Sequence, residues 1–208
     1  MTSPVKLYRN PKSGHCHRVE LMMALLGIAY DTVDLDMMNG AHKAPDFLAL
    51  NPLGQVPAID DNGTILADSN AILVYLAHRY GDAAIWTGDN PVEKALVQRW
   101  LSIAAGEIAS GPAAARLASV FGAPLDQKAA QAKAHGLFAV MDAALNGRSF
   151  LVAERATLAD IAAYSYVAHA PEGGVSLDTY PHIQAWIDRI EALPNFVSMP
   201  RSPVPTAA

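Results

Sequence analysis

A change in sequence periodicity near residue 80 restricts the possible folds of this chain more than any other feature. Before it, strand-like and helix-like segments alternate, and after it the apolar residues recur at helical spacing alone. The segments predicted as strands are 5–8, 30–36, 56–60 and 64–67. The segments predicted as helices in the same region are 14–27, 45–50 and 69–80. The sequence therefore predicts a small α/β domain in the order β-α-β-α-β-β-α, followed by an all-helical domain.

The predicted boundary is residues 81–90 (GDAAIWTGDN), whose Gly, Asp and Asn content is typical of a linker. It separates a first domain at 1–80 from a second at 91–208. The helices predicted in the second domain are 91–120, 125–146, 158–169 and 180–193. Within the first domain, Asp-Asn-Gly at 61–63 predicts a tight hairpin between the last two strands. We therefore expect a parallel strand pair and an antiparallel hairpin on one sheet.

Composition limits the functional classes. The chain has 208 residues, 51% of them apolar and 17% charged, which suits two well-buried globular domains. A net charge of −5 without a Lys/Arg run argues against nucleic acid as a partner. The apolar runs are too short and interrupted to span a membrane, and from the pattern of the first residues we expect no secretory signal. The single Cys excludes an intramolecular disulfide and fits the cytoplasm.

The stretch PKSGHCHRVEL at 11–21 brings together residue types used in metal binding, nucleophilic catalysis and helix capping. His15 and His17 alternate, so on a helix they point to different faces. With one Cys and no nearby acidic cluster, we expect no zinc or iron site here.

Ser13 lies where the first strand gives way to the first helix. Unpaired amides and the positive end of the helix dipole favour an anion at such a position. Ser13 can cap the helix, and it can also donate a hydrogen bond to a thiolate carried by a ligand. The residues alone leave both roles open. Cys16, one turn into an apolar helix, is predicted to be buried.

Three segments in order carry a family resemblance: 51–57 (NPLGQVP), 68–72 (DSNAI) and 157–161 (TLADI). Together they resemble signatures of the cytosolic glutathione transferase superfamily, and the similarity spans nearly the whole chain. Residues 40–45 (GAHKAP) are similar to the plant phi class and its bacterial relatives. The resemblance implies a thioredoxin-like fold for the N-terminal domain. It also implies that Thr157 and Asp160 form a capping box, which is a folding device rather than part of the site.

The resemblance further implies how glutathione binds. A cis peptide before Pro57 presents the backbone of Val56 to the cysteinyl unit of glutathione, as a strand edge does. Ser69 binds the γ-glutamyl carboxylate while capping the helix that it opens, and Asp68 lies near the γ-glutamyl ammonium. The residues assigned to the glycyl carboxylate are His42, Lys43 and Gln55.

For catalysis, Ser13 matches the catalytic Ser of the phi, theta and delta classes, and Tyr8 in the first strand is the second choice. Cys16 does not match the catalytic Cys of the beta or omega classes. Related bacterial sequences often have Asn where this chain has His15. His15 is predicted to face solvent, with a role in tuning the thiolate as the alternative.

The function implied is a glutathione transferase active in detoxification, in which glutathione is co-substrate and its thiolate attacks a hydrophobic electrophile. The helical domain is expected to hold the electrophile, near the small residues of 101–120, with Arg116 at the surface. A cytoplasmic homodimer is expected. The alternatives left open are a glutathione-dependent thiol-disulfide reductase and a non-catalytic protein that binds glutathione or hydrophobic compounds.

Overall fold

The computed structural model describes residues 3–205, which form two compact units. The units consist of residues 3–82 with 194–200, and of residues 83–193 with 201–205. The outer ends of the predicted domains, 1–2 and 206–208, lie outside the described residues.

The first unit is built on a four-stranded sheet. Its strands are β1 (Val5–Arg9), β2 (Tyr30–Asp34), β3 (Ala58–Asp61) and β4 (Thr64–Ala67). The strand order is β2-β1-β3-β4, with β1 parallel to β2 and antiparallel to β3. The β3–β4 hairpin turns at Asn62 and Gly63, which have φ of 52° and 93°, the left-handed values that such a turn requires. The predicted parallel pair and antiparallel hairpin are confirmed.

The helices of the first unit follow the predicted order. They are α1 (Gly14–Leu25), α2 (Pro45–Leu50) and α3 (Ser69–Tyr80), with a short 3₁₀ turn at Ala41–Lys43. The core of the unit consists of apolar side chains from the sheet, α1 and α3, all with 0% exposure: Leu7, Ile59, Met22 and Leu73. The α/β fold with the order β-α-β-α-β-β-α is therefore confirmed.

Residues 194–200 belong to the first unit although residues 83–193 of the second unit separate them from the rest of it in sequence. His17, only 2% exposed on α1, has its Nε2 atom 2.9 Å from the carbonyl oxygen of Val197. The periodicity of the sequence gives no sign of this contact, because its two residues lie 180 positions apart.

The second unit is helical in its described residues. Its helices are α4 (Ala83–Thr87), α5 (Pro91–Ile103), α6 (Ala114–Phe121), α7 (Gln127–Leu145), α8 (Leu158–Ala168) and α9 (Pro181–Glu191). A 3₁₀ turn at Ala170–Gly173 lies between the last two. Helix α8 is buried around its whole circumference, from Leu158 to Val167, as expected for a central core helix. No helix of the described residues is both long and apolar enough to cross a membrane.

One predicted helix, 91–120, is interrupted in the structure. Between α5 and α6 the chain forms a π-helical segment, Ala104–Ala113, which contains Pro112. Proline has no amide hydrogen and its ring collides with the carbonyl four residues earlier in an α-helix, here that of Ile108. The wider turn of the π-helix avoids this collision, so the chain stays helical between α5 and α6.

The segment predicted as a linker, 81–90, contains α4 and belongs mainly to the second unit. Arg155 holds α4 in place by donating from Nη2 to the carbonyl of Ala84 at 3.0 Å and from Nε to that of Ile85 at 3.2 Å. The Nη2 atom also pairs with the Glu93 carboxylate at 2.9 Å. These bonds satisfy carbonyls at the end of a helix too short to be stable alone.

Arg116 does not lie at the surface as predicted. It is 1% exposed, and its Nε atom donates to Glu172 at 2.7 Å. The same carboxylate accepts from the amide of Ser202 at 3.0 Å and lies 2.6 Å from Nδ1 of His169. A buried guanidinium requires such a partner, and Glu172 lies too far along the sequence for the pair to be recognised from spacing.

The capping box at the start of α8 is confirmed. The carboxylate of Asp160 accepts from the amide of Thr157 at 2.8 Å and from its hydroxyl at 3.0 Å. It also accepts from the amide of Leu151 and from Nε1 of Trp186, both at 2.9 Å. Burial raises the pKa of Asp160, whereas these four hydrogen bonds favour its charged form.

Candidate active site

Ser13 is the N-cap of α1, so the capping role is confirmed. Its Oγ atom accepts from the amide of Cys16 at 3.4 Å, and its own amide donates to the carbonyl of Asn10 at 3.0 Å. The first turn of α1, which the structure describes in full, has no acidic residue to offset the helix dipole. The half-buried hydroxyl of Ser13 therefore lies at an end of the helix that attracts a negative charge.

Cys16 is buried as predicted, with 1% exposure. Burial raises the pKa of its thiol to about 11, against the opposing effect of a hydrogen bond with the Ser13 side chain. The thiolate is the reactive form of cysteine, so a buried, protonated thiol is unsuited to disulfide exchange.

We therefore expect Cys16 of the native protein to resist alkylation. At pH 8, iodoacetamide should label less than about a tenth of the protein in an hour, because the thiol is both inaccessible and protonated. Mass spectrometry of the intact protein measures the added mass, with urea-unfolded protein as the control that should gain one adduct. Rapid stoichiometric labelling of the native chain would contradict the burial of this thiol and revive the reductase alternative.

Tyr8, the second choice for catalysis, lies on β1 opposite Ala58 of β3. Its half-buried ring packs against Phe47, with the ring centroids 6.1 Å apart. No hydrogen bond within residues 3–205 uses the hydroxyl of Tyr8. The ring thus has a packing role that does not depend on its hydroxyl.

The loop before β3 is shaped by Asn51. Its Nδ2 atom donates to the carbonyl of Gln55 at 2.8 Å, and its Oδ1 atom accepts from the amide of Leu53 at 3.1 Å. The peptide between Val56 and Pro57 is cis, which confirms the expectation from the family resemblance. No hydrogen bond within the described residues uses the amide or the carbonyl of Val56. Both groups therefore remain available to an extended ligand.

The same loop packs closely against the 3₁₀ turn that carries His42 and Lys43. The Nζ atom of Lys43 donates to the carbonyls of Leu53 at 3.0 Å and Gly54 at 3.2 Å. Gly54 has φ of +59°, and a Cβ atom there would lie 2.7 Å from the carbonyl oxygen of His42, so only glycine fits. Nδ1 of His42 is buried without a hydrogen-bond partner among the described residues. Gln55 is exposed beside this pair.

The start of α3 differs in one respect from the prediction. Asp68 caps the helix, with Oδ1 accepting from the amide of Ala71 at 2.9 Å, whereas Ser69 is the first helical residue. Asp68 reaches this position with φ of 69° and ψ of 119°. Because Asp68 supplies the cap, the hydroxyl of Ser69, in a residue 4% exposed, is left for other contacts.

Those contacts come from α1. Nη1 of Arg18 donates to Oγ of Ser69 at 3.3 Å and to Oδ1 of Asn70 at 2.9 Å. Arg18 has 0% exposure, so a full positive charge lies buried behind Ser69. Sequence reasoning missed Arg18, although a charged residue among the apolar residues of a buried helix is an available signal that it serves a specific partner.

His15 does not face solvent as predicted. It is half-buried, and its Nδ1 atom lies 3.4 Å from Oγ of Ser69. Burial, and then the nearby positive charge of Arg18, lower the pKa of His15 to about 3. The ring is therefore neutral at physiological pH. His15 and Arg18 lie three positions apart, so they share one face of α1 and reach the same partner on α3.

The predicted site residues thus fall into three groups within the first unit. Ser69, with Asp68 beside it, meets α1 at the start of α3. His42 and Lys43 meet Gly54, which precedes Gln55 in sequence. The antiparallel register of β1 and β3, which pairs Tyr8 with Ala58, directs the Val56–Pro57 peptide towards the turn that leads to Ser13. Within the described residues, no group of three or more His, Cys, Asp or Glu side chains is arranged to hold a metal ion.

Both parts of the chain are similar to known protein families. Residues 3–78 match the glutathione S-transferase N-terminal domain family, and residues 115–194 match the glutathione S-transferase C-terminal domain family. The chain is 32% identical to the probable glutathione S-transferase GSTF2 of Oryza sativa subsp. japonica, over 93% of this chain and 94% of that protein. It is 31% identical to glutathione S-transferase 3 of Zea mays, over 99% of each chain.

Solved structures show the same similarity. A glutathione S-transferase from Pseudomonas fluorescens superposes with a TM-score of 0.86 at 32% identity, covering 95% of this chain and 99% of that one. A delta-class glutathione transferase from Nilaparvata lugens superposes with a TM-score of 0.82 at 31% identity, covering 92% of this chain and 90% of that one.

Proposed function

The chain belongs to the glutathione S-transferase family and is a glutathione transferase, and from this premise we propose which residues bind glutathione and which activates its thiol. Ser13 is the catalytic residue of this proposal: its hydroxyl donates a hydrogen bond to the glutathione thiolate. The observation that carries the proposal is the position of Ser13 as the N-cap of α1, where the dipole favours an anion. Tyr8 is the second choice.

Ser13 and the N-terminus of α1 can together supply the free energy needed to ionise the thiol of bound glutathione. A thiol has a pKa of about 8.5, and lowering it by about two units requires about 2.7 kcal/mol. A hydrogen bond to a charged group contributes about 1.5–3 kcal/mol, and a helix N-terminus adds about 0.3–1 kcal/mol. Together they ionise most of the bound thiol at neutral pH, and the thiolate then attacks an electrophilic carbon.

The backbone of Val56 binds the cysteinyl unit of glutathione. Its amide and carbonyl make no hydrogen bond within residues 3–205, so they can pair with the peptide in the manner of an added strand. Pro57 fixes the direction in which they point. Because these hydrogen bonds hold the backbone of the cysteinyl unit, they fix the position of the glutathione sulfur independently of the electrophile.

The γ-glutamyl end binds at the start of α3. Its carboxylate accepts from the hydroxyl of Ser69, with the buried charge of Arg18 behind it. Its ammonium pairs with the exposed carboxylate of Asp68. The γ-glutamyl group carries a carboxylate and an ammonium on the same carbon. The consecutive residues Ser69 and Asp68 offer a hydroxyl donor for the carboxylate and a carboxylate for the ammonium.

The glycyl carboxylate binds at the 3₁₀ turn. Lys43 supplies the positive charge, and its ammonium already lies at the edge of the loop that contains Gly54. Nδ1 of His42 has no partner among the described residues, and it is a second donor when it carries the proton of the neutral ring. Gln55 adds an amide from the exposed side of the loop.

The remaining parts of the proposal come from the family resemblance. The domain assignment is 1–80 for glutathione and 91–208 for a hydrophobic electrophile, with 81–90 between them. We also propose a cytoplasmic homodimer that acts in detoxification. The reductase alternative is disfavoured by the burial of Cys16 and by the hydroxyl at Ser13, and the curated relatives are named as transferases rather than as binding proteins.

The direct test is calorimetric titration of the protein with glutathione. The wild type is expected to bind one glutathione per chain, and Ser69→Ala should weaken binding about 10- to 100-fold, because a hydrogen bond to a charged carboxylate is lost. Ser102→Ala, on the exposed face of α5, is the matched control and should bind as the wild type does. A wild-type chain that takes up no glutathione would overturn the assignment.

A further inference from the structure

We propose that His15 is a positioning residue for glutathione: its ring holds the Ser69 hydroxyl so that the single hydroxyl proton points at the γ-glutamyl carboxylate. This inference rests on the proposed function, which places that carboxylate at Ser69. It assigns a role to a residue whose side chain the catalytic proposal does not use.

The argument begins with the hydrogen bonds that Ser69 can make. A serine hydroxyl has one proton to donate and two lone pairs that accept. Arg18, which can only donate, occupies one lone pair from Nη1 at 3.3 Å. Among the described residues, Nδ1 of His15 is the only other partner of the hydroxyl, at 3.4 Å. Both contacts are long, so Ser69 is loosely held before a ligand completes the set.

A bound carboxylate changes this set in a defined way. An ionised carboxylate accepts and cannot donate, so the proton of Ser69 must point to it. The second lone pair of Ser69 is then open only to a donor, and Nδ1 of His15 fills it when that nitrogen carries the ring proton. A residue that could only accept would compete with the ligand for the same proton. Histidine avoids this competition because either nitrogen can carry its proton.

The surroundings of His15 keep it in the required form. Burial and the charge of Arg18 hold its pKa at about 3, so the ring is neutral at pH 7 and can exchange tautomers without gaining charge. His15 also lies two residues from Ser13 on the same helix end. Ser13 addresses the thiol of glutathione and His15 acts on its γ-glutamyl carboxylate through Ser69, so their effects on kcat and KM should separate.

The test compares three substitutions of His15 in steady-state kinetics with varied glutathione. His15→Ala should raise the KM for glutathione about 5-fold, the effect of one modest hydrogen bond, with kcat within about 2-fold of the wild type. His15→Phe, which keeps the ring but removes both nitrogens, should show the same rise and remains informative if the Ala variant folds poorly. His15→Asn places an amide nitrogen at the same number of bonds from Cα as Nδ1, and should restore a KM within about 2-fold of the wild type.

Calorimetry with S-methylglutathione, which binds but cannot react, should show the same order of affinities. His78→Ala, an exposed histidine on α3, is the matched control and should change neither constant. If the KM for glutathione is unchanged in His15→Ala and His15→Phe while Ser69→Ala raises it, the role proposed for His15 is wrong and the proposed glutathione site stands. A fall in kcat at unchanged KM would equally overturn it. If Ser69→Ala also changes nothing, the proposed site and this inference fail together.

Discussion

Replacing Ser13 by alanine is expected to lower kcat/KM for glutathione conjugation about 10- to 100-fold. The variant loses a hydrogen bond worth about 1.5–3 kcal/mol to a charged partner, and each 1.4 kcal/mol or so corresponds to about a tenfold change in rate. The dipole of α1 remains, so activity should not vanish. Conjugation to 1-chloro-2,4-dinitrobenzene measures the rate, and its pH profile should shift upward by about one to two units, because the bound thiol is less acidic.

Two further variants separate catalysis from folding. Ser13→Thr keeps both a hydroxyl and an N-cap residue, and should remain within about 3-fold of the wild type. Tyr8→Phe keeps the ring that packs on Phe47 and should also remain within about 3-fold. A large loss in Tyr8→Phe, together with an active Ser13→Ala, would instead make Tyr8 the residue that activates the thiol.

The largest expected loss of stability follows from Asp160→Ala. The substitution leaves the buried amides of Leu151 and Thr157 and Nε1 of Trp186 without their acceptor. Each buried donor without a partner costs about 1–3 kcal/mol. We expect the free energy of unfolding to fall by about 3–5 kcal/mol, the lower part of the sum for these three donors.

Urea unfolding followed by tryptophan fluorescence measures this loss, since Trp186 itself contacts the carboxylate. Asp188→Ala, an exposed acid on α9, is the matched control and should change stability by less than about 0.5 kcal/mol. Equal unfolding midpoints for the two variants would show that the network around Asp160 contributes little.

Much of the first unit was predictable because its signals are local. Asn62 and Gly63 identify the hairpin, and a Ser between a strand and a helix identifies the cap of α1. The same short-range reasoning failed at Asp68 and Ser69, where two adjacent residues can both cap a helix and only the backbone angles decide between them.

Sequence motifs gave the residues assigned to glutathione, but not the contacts that these residues make within the protein. Ser69 could be assigned from the motif that contains it, but His15 and Arg18 reach it from 54 and 51 residues away. The direction in which a helical side chain points depends on how α1 packs, which periodicity gives only coarsely. His15 precedes the buried Val19 by four positions and Met22 by seven, so the period alone favours its burial, contrary to the prediction that it faces solvent. Arg18 was not considered.

The segment 194–200 gives the evolution of this chain an additional constraint. A gene fragment ending at residue 82 would encode the sheet and α1 but not the carbonyl of Val197 that His17 meets. The first unit is therefore discontinuous in the gene, and a single recombination crossover after its last helix would not transfer it intact. A single crossover between related genes would therefore pair His17 of one parent with the position-197 carbonyl of the other, whereas two crossovers would keep both from one parent.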